Sequence, residues 1–195
     1  MKRKMFLAAG VVILFLFACK QKKSEDKNES FFPVLSFLQS QIADIDTSLY
    51  PIMKIVYIDS LHSDTSWVKR EEFRGLANDF LAIPDIASKK YKKLYSEEKL
   101  FDETLNKVIL SYKPVKPENA EIQKQEILIT PDVAIGDKVN SIIIDQVVSN
   151  KDSSMQKKML WRVDQSFQVT TIRQKPGEPE SISTLKVTWN EPDEK

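Results

Sequence analysis

The side chains that carry most covalent and acid–base chemistry are scarce in this chain of 195 residues, which holds one histidine, His62, and one cysteine, Cys19. A Ser-His-Asp or Cys-His relay would have to be built on His62, which falls in a polar turn predicted over residues 60–66 and reads as an ordinary exposed side chain. One cysteine forbids an intrachain disulfide and, with one histidine, the Cys and His sets that structural zinc takes. The four glycines, Gly10, Gly75, Gly136 and Gly177, are too dispersed for a loop that cradles phosphate, and no GxGxxG, GxxxxGK or GxSxG run occurs. Carboxylates are what remains. They pair at Asp44 with Asp46, Glu71 with Glu72 and Asp132 with Asp137. General acid and base work needs two carboxyl groups held in one cleft with their pKa values pushed apart, which nearness in sequence does not supply. The pairs read as a helix end, a solvent-facing helix surface and a loop, and Asp132, Asp137 and Asp145 match no calcium-loop spacing. The expectation is a non-catalytic protein without cofactor or metal. A hydrolase working with carboxylates alone is the least supported alternative.

The N-terminus reads as an address. Three positive charges in residues 1–4 precede an uncharged apolar run over residues 5–17 that closes on Ala18 and Cys19. A helix needs about 17–25 apolar residues to span a bilayer, so the run is too short for that and has the parts of a secretory signal peptide. The segment Leu16-Phe17-Ala18-Cys19 resembles the lipobox of bacterial lipoproteins. The resemblance covers residues 1–19 alone. It implies cleavage between Ala18 and Cys19, a thioether-linked diacylglycerol and an N-acyl chain such as palmitate on Cys19, and a cell-envelope location. Two or three acyl chains, at about 0.8 kcal/mol per buried CH₂, hold stably where one is marginal. Lys20, in place of the Asp that favours inner-membrane retention in such lipoproteins, implies the outer membrane, and the basic start Lys20-Gln21-Lys22-Lys23 implies its periplasmic side. Lipid would consume the sole thiol. A net charge of +1 for the whole chain gives no reason to expect nucleic acid.

The domain division that follows is a signal peptide at residues 1–18, a lipidated Cys19 and flexible tether at 19–30, one α+β domain at 31–190 and a disordered tail at 191–195. Residues 20–30 hold no apolar side chain, so they read as solvated coil with a reach of about 18 Å. Helical spacing of Leu35, Leu38, Ile42 and Ile45 predicts a helix over residues 31–46, and Phe73, Leu76, Ala77, Phe80 and Leu81 predict the strongest one over 68–82. A further helix is predicted over 85–95, bearing the basic run from Lys89 to Lys93. That run reads chiefly as a solvated face, with anionic headgroups as the alternative.

Strands are predicted over residues 52–59, 105–112, 122–129, 139–149 and 182–189, the fourth apolar on both faces and therefore interior. Unbroken alternation from Met155 to Gln174 predicts one long bent strand, with a hairpin at Asp164-Gln165 as the alternative. Lys175-Pro176-Gly177-Glu178 predicts a type II turn. Helices first and an antiparallel sheet afterwards give an α+β class, and the element order resembles the NTF2-like or cystatin-like architecture, with helices packed on a curved sheet. Trp161, Phe167, Val169, Leu185, Val187 and Trp189 are the candidate lining of an apolar pocket. A sheet face of this composition more often serves as core. The function expected is an envelope lipoprotein whose domain binds a protein partner or apolar ligand at the outer membrane, or carries a lipid in an apolar pocket.

Overall fold

A computed structural model of the chain describes residues 30–58, 62–150 and 152–190. The leader, Ala18 and Cys19, the tether up to residue 29 and the tail at 191–195 lie outside the described residues.

Helix α1 (Val34–Thr47) buries Val34, Leu38, Ile42 and Ile45, the stripe that its sequence spacing sets. A hairpin follows, β1 (Ile52–Tyr57) and β2 (Ser63–Val68). The stripe predicted over 68–82 is divided between α2 (Arg70–Leu76) and α3 (Asn78–Leu81). The break falls at Ala77, between Gly75 and Asn78, two residues of low helix propensity, yet Phe73, Ala77 and Phe80 all stay on the buried side. The rest is a meander of β3 (Tyr95–Asp102), β4 (Lys107–Pro114), β5 (Ile122–Thr130), β6 (Lys138–Ser149), β7 (Ser154–Arg162), β8 (Ser166–Gln174) and β9 (Ser181–Thr188). With β1 laid against β9, the order is β2-β1-β9-β8-β7-β6-β5-β4-β3, and every neighbouring pair is antiparallel. The class is α+β, with few helices on an open nine-stranded sheet.

Three local expectations are corrected, and one strand is added where none was expected. Residues 85–95 form turns and a short 3-10 segment at Lys92–Leu94, not a helix. Local side-chain bonds compete with the helix there: Asp85 Oδ1 accepts from Ala87 N at 3.1 Å and Ser88 Oγ donates to Asp85 O at 2.7 Å. The polar run at 63–66 is strand β2, and Tyr95-Ser96-Glu97-Glu98-Lys99 lies in strand β3. Both are edge strands, where charge is a protection against further pairing and no alternating apolar pattern is required. The long strand predicted over 155–174 is the hairpin β7–β8, turning through residues 163–165. Asp164 sits at φ 61°, a conformation that Asp tolerates better than most residues. Gln165 N donates to Arg162 O at 3.1 Å. The Lys175–Glu178 turn forms as expected, with Glu178 N donating to Lys175 O at 3.1 Å and Gly177 at φ 79°.

The core lies between the helices and one sheet face. Phe80 meets Trp161 edge-on at 5.2 Å, Phe73 meets Trp189 at 5.3 Å, and Trp161 stacks on Phe167 at 5.4 Å with a 10° interplanar angle. The opposite face is solvated. There Lys124, Asp145 and Lys158 stand in register across β5, β6 and β7, and Thr170 and Thr184 share a 3.0 Å hydroxyl bond.

Tyr112 on β4 pins the start of α1. Its hydroxyl accepts from Phe32 N at 3.0 Å and donates to Glu97 Oε1 at 2.7 Å, and its ring lies 4.6 Å from that of Phe31. Burial is the largest cause raising its pKa well above the usual phenol value of 10.0; the Phe32 N–H lowers it, and the Glu97 carboxylate raises it further. A raised phenol pKa stabilises the fold fully below the unfolded value and is lost as pH rises through the folded one. Stability is therefore expected to fall as pH climbs above 10, and Tyr112→Phe is expected to flatten that decline while costing about 1–2 kcal/mol at neutral pH. Urea unfolding across an alkaline series measures both.

Candidate functional site

Alternating strand direction collects one set of connections at one end of the sheet: the β3–β4, β5–β6 and β7–β8 turns and the start of β1. The most exposed large apolar side chains stand on this loop end. Leu49 and Tyr50 stand between α1 and β1, Leu105 in the β3–β4 turn, and Val133 and Ile135 in the β5–β6 loop. Val133 is 106% exposed, Leu49 97% and Ile135 83%, so these residues contribute nothing to the core.

The β5–β6 loop is built to present them. Asp132 Oδ1 accepts from Ala134 N at 2.8 Å and from Ile135 N at 3.1 Å, while Asp137 Oδ1 accepts from Asp132 N at 3.3 Å. Gly136 N donates to Asp132 O at 3.0 Å, and Gly136 takes φ 91°, where a Cβ would be strained. The carboxylate pair at Asp132 and Asp137 is thus a staple that closes a turn with Val133 and Ile135 on its outside.

The neighbouring connection is held from α2. Arg70 Nη1 donates to Ile45 O at 2.7 Å and to Ser48 Oγ at 2.9 Å, and its Nη2 donates to Tyr50 O at 3.1 Å. The guanidinium adds to the bonds that Ser48 N and Ser48 Oγ donate to Ile45 O, at 3.1 Å and 3.0 Å, and opposes the negative end of the helix dipole. The three Arg70 bonds fix the path of Leu49 and Tyr50. Beside them runs a groove of about 540 Å³, walled by Ser48, Tyr50, Lys138, Val163, Trp189 and Asn190.

A second apolar region lies at the other end of the sheet. Leu94 and Val115, 48% and 64% exposed, are joined by a Val115 N to Leu94 O bond of 2.9 Å. They rim a cleft of about 450 Å³ that Tyr91, Tyr95 and Ala120 also line, with Lys93 and Lys116 at its mouth. Tyr95 donates its hydroxyl to Ile122 O at 3.2 Å, and burial raises its pKa.

The six candidate pocket residues are together, on the helix side of the sheet. Trp161, Phe167, Val169, Val187 and Trp189 are buried and Leu185 is partly buried, with the rings of Phe73 and Phe80 over the aromatic members. Trp189 also reaches the groove at the loop end. Of the other carboxylate pairs, Asp44 lines the groove at the loop end while Asp46 bonds Arg74 at 2.8 Å, and Glu71 and Glu72 occupy the first turn of α2, where the helix dipole favours them. His62 lies just before β2, and its carbonyl accepts from Ile58 N at 3.0 Å. Among the described residues no group of three His, Cys, Asp or Glu side chains is gathered to hold a metal ion, and no helix is long and apolar enough to cross a membrane.

Sequence reasoning missed Leu49, Leu105, Val133 and Ile135. The available signal was an apolar residue inside turn chemistry, as in Pro131-Asp132-Val133-Ala134-Ile135-Gly136-Asp137, where neither helical nor strand spacing has a use for it. The chain matches no family model, no curated protein and no solved structure.

Proposed function

We propose that this protein is a non-catalytic envelope lipoprotein, held by lipid on Cys19 at the periplasmic side of the outer membrane, whose domain binds a protein partner at its loop end. The lipobox-like Leu16-Phe17-Ala18-Cys19 supports the anchoring. The observation that carries the binding role is the set of exposed apolar tips at one end of the sheet, Leu49, Val133 and Ile135, on connections that Arg70, Asp132 and Asp137 hold in place. Fully exposed aliphatic side chains on stapled turns cost solubility and add nothing to the core, which is the usual mark of an interaction surface. The likeness of element order to the NTF2-like or cystatin-like architecture, including a curved sheet, belongs to this reading as analogy and transfers no residue role.

A photo-crosslinking side chain placed at Val133 or Ile135 is expected to give a discrete protein adduct in cells that make the chain, while one at exposed Glu178, on a turn at the opposite end, gives none. No adduct from the loop end rejects partner binding there. Anchoring has its own test: Cys19→Ala is expected to prevent acylation and release the chain from membranes, and a membrane-held variant rejects it.

A second reading is favoured by the cleft of about 450 Å³ between Tyr91, Leu94, Tyr95 and Val115, which has room for a small apolar ligand or part of an acyl chain. Gentle native mass spectrometry of the purified chain would find such a ligand as added mass.

A further inference from the structure

We propose that the corner where the chain enters α1 docks on the surface of an anionic bilayer, with Lys89, Lys93 and Lys116 against lipid phosphates and Leu94 and Val115 dipping below them. The inference rests on the anchoring through Cys19 proposed above. Three observations carry it.

The first is where the anchored end meets the domain. Phe31 packs on Tyr112 at 4.6 Å, and the Lys92 ammonium lies 5.4 Å over the Phe31 ring. The basic segment therefore lies, through Lys92, beside the point at which the chain arrives from Cys19. The intervening residues, if coil, have an r.m.s. end-to-end distance of about 18 Å, so this corner is on average the part of the domain nearest an anchoring membrane.

The second is charge. Lys89, Lys93 and Lys116 are exposed and make no ion pair among the described residues. Elsewhere Lys113, Lys124, Lys157 and Lys175 are each matched with a carboxylate. The acidic groups at this corner are Asp85, spent on Ala87 N, Glu97, which accepts from the Tyr112 hydroxyl beside Phe31, Glu98, paired with Lys113, Glu121, spent on the Gln146 amide, and Glu118 in the 3-10 turn after Lys116. Basic side chains within a Debye length of anionic headgroups, about 8–10 Å, add their attractions.

The third is the apolar pair itself. The Val115 N to Leu94 O bond sets Leu94 and Val115 side by side, each next in sequence to a lysine, Lys93 and Lys116. Apolar side chains ringed by cations suit the boundary between headgroup and acyl chain. Docked this way, α1 leads from the membrane corner toward the loop end, and Val133 and Ile135 face away from the bilayer, open to a partner.

The test uses the chain from Cys19 onward, the mature form that the proposed anchoring implies. Its sole thiol is coupled to a maleimide-bearing lipid in vesicles of phosphatidylcholine alone or mixed with phosphatidylglycerol. Amine labelling read by mass spectrometry then reports each lysine. Labelling of Lys89, Lys93 and Lys116 is expected to fall several-fold on the anionic vesicles and to recover at about 1 M salt, where the Debye length is about 3 Å. Lys138 at the loop end and Lys175 in the β8–β9 turn should label equally on both. Equal labelling of the three on both vesicles, or a loss shared by every lysine, overturns the proposal; the first outcome leaves the corner to an acidic protein surface. The coupled lipid supplies the anchor whether or not cells do. A free Cys19 thiol in cell-derived protein would sink the lipoprotein reading while leaving this result standing.

Discussion

Phe80→Ala is expected to lower the unfolding free energy by about 3–5 kcal/mol, a large part of the about 5–15 kcal/mol that a domain of this kind has in total. Phe80 is fully buried and lies edge-on to Trp161 at 5.2 Å and to Phe167 at 5.4 Å. Truncation removes the ring from water-free surroundings and also leaves a hole that neighbours cannot close. Trp161 is stacked on Phe167, and both rings are themselves buried among Phe73 and Trp189. Urea unfolding of the purified chain gives the number. Trp67→Ala is the counterpart: Trp67 is larger than Phe80 but 73% exposed on edge strand β2, so its loss is expected to stay within about 0.5 kcal/mol. The same variant bears on the apolar face. If Phe73 and Phe80 plug it, Phe80→Ala opens a cavity lined by Trp161 and Phe167, and benzene-sized probes should bind and raise the unfolding temperature of the variant alone. Equal probe binding to the parent chain would mean that the sheet already holds an open container.

The contrast between Phe80 and Trp67 also marks how far the sequence could be followed. Elements that bury one face announced themselves: the α1 stripe, the Phe73–Phe80 stripe and the inward set on β7, β8 and β9 are periodic because each must cover a core. Edge strands carry no such duty. β2 and β3 owe their place to one neighbour's backbone, and polar side chains such as Asp64, Glu98 and Lys99 there guard an open edge. The β7–β8 turn was hidden by arithmetic. A three-residue turn leaves Trp161 and Phe167 in register and an even number of positions apart, so the alternation crosses the turn without a change of phase. A two-residue turn would have shifted it. Alternation can therefore identify faces in a meander without counting its strands.

The candidate site was less legible than the fold for a related reason. Val133, Ile135 and Leu49 have no periodic partner, and only the hydrogen bonds of Asp132 and Arg70 show that their exposure is constructed. The basic run was visible from sequence, but its nearness to Phe31 depends on β3 and β4 carrying Tyr112 to the start of α1.

Arg70→Ala is expected to destabilise the domain by about 1.5–3 kcal/mol and to weaken partner capture at the loop end beyond what that loss of stability accounts for. Arg70 spans three acceptors on two segments, Ile45 O, Ser48 Oγ and Tyr50 O. Ile45 is the last buried residue of α1, and Tyr50 precedes Pro51, which has no N–H to tie the turn from its own side. With the guanidinium gone, the C-terminal turn of α1 loses its cation, and Tyr50 is released from the groove wall together with the connection that carries Leu49. Lysine cannot substitute: one ammonium on a flexible stem does not reproduce a planar fork that bonds a helix carbonyl and a loop carbonyl at once. Arg70→Lys should therefore recover part of the stability, through charge at the helix end, and little of the capture. Unfolding measurements and crosslinking from Val133, made on parent, Arg70→Lys and Arg70→Ala, separate the two roles. If capture follows stability along one line through all three proteins, Arg70 is a helix cap and nothing more. If the lysine variant is nearly as stable as the parent and still fails to crosslink, the position of Leu49 and Tyr50 is what the partner reads.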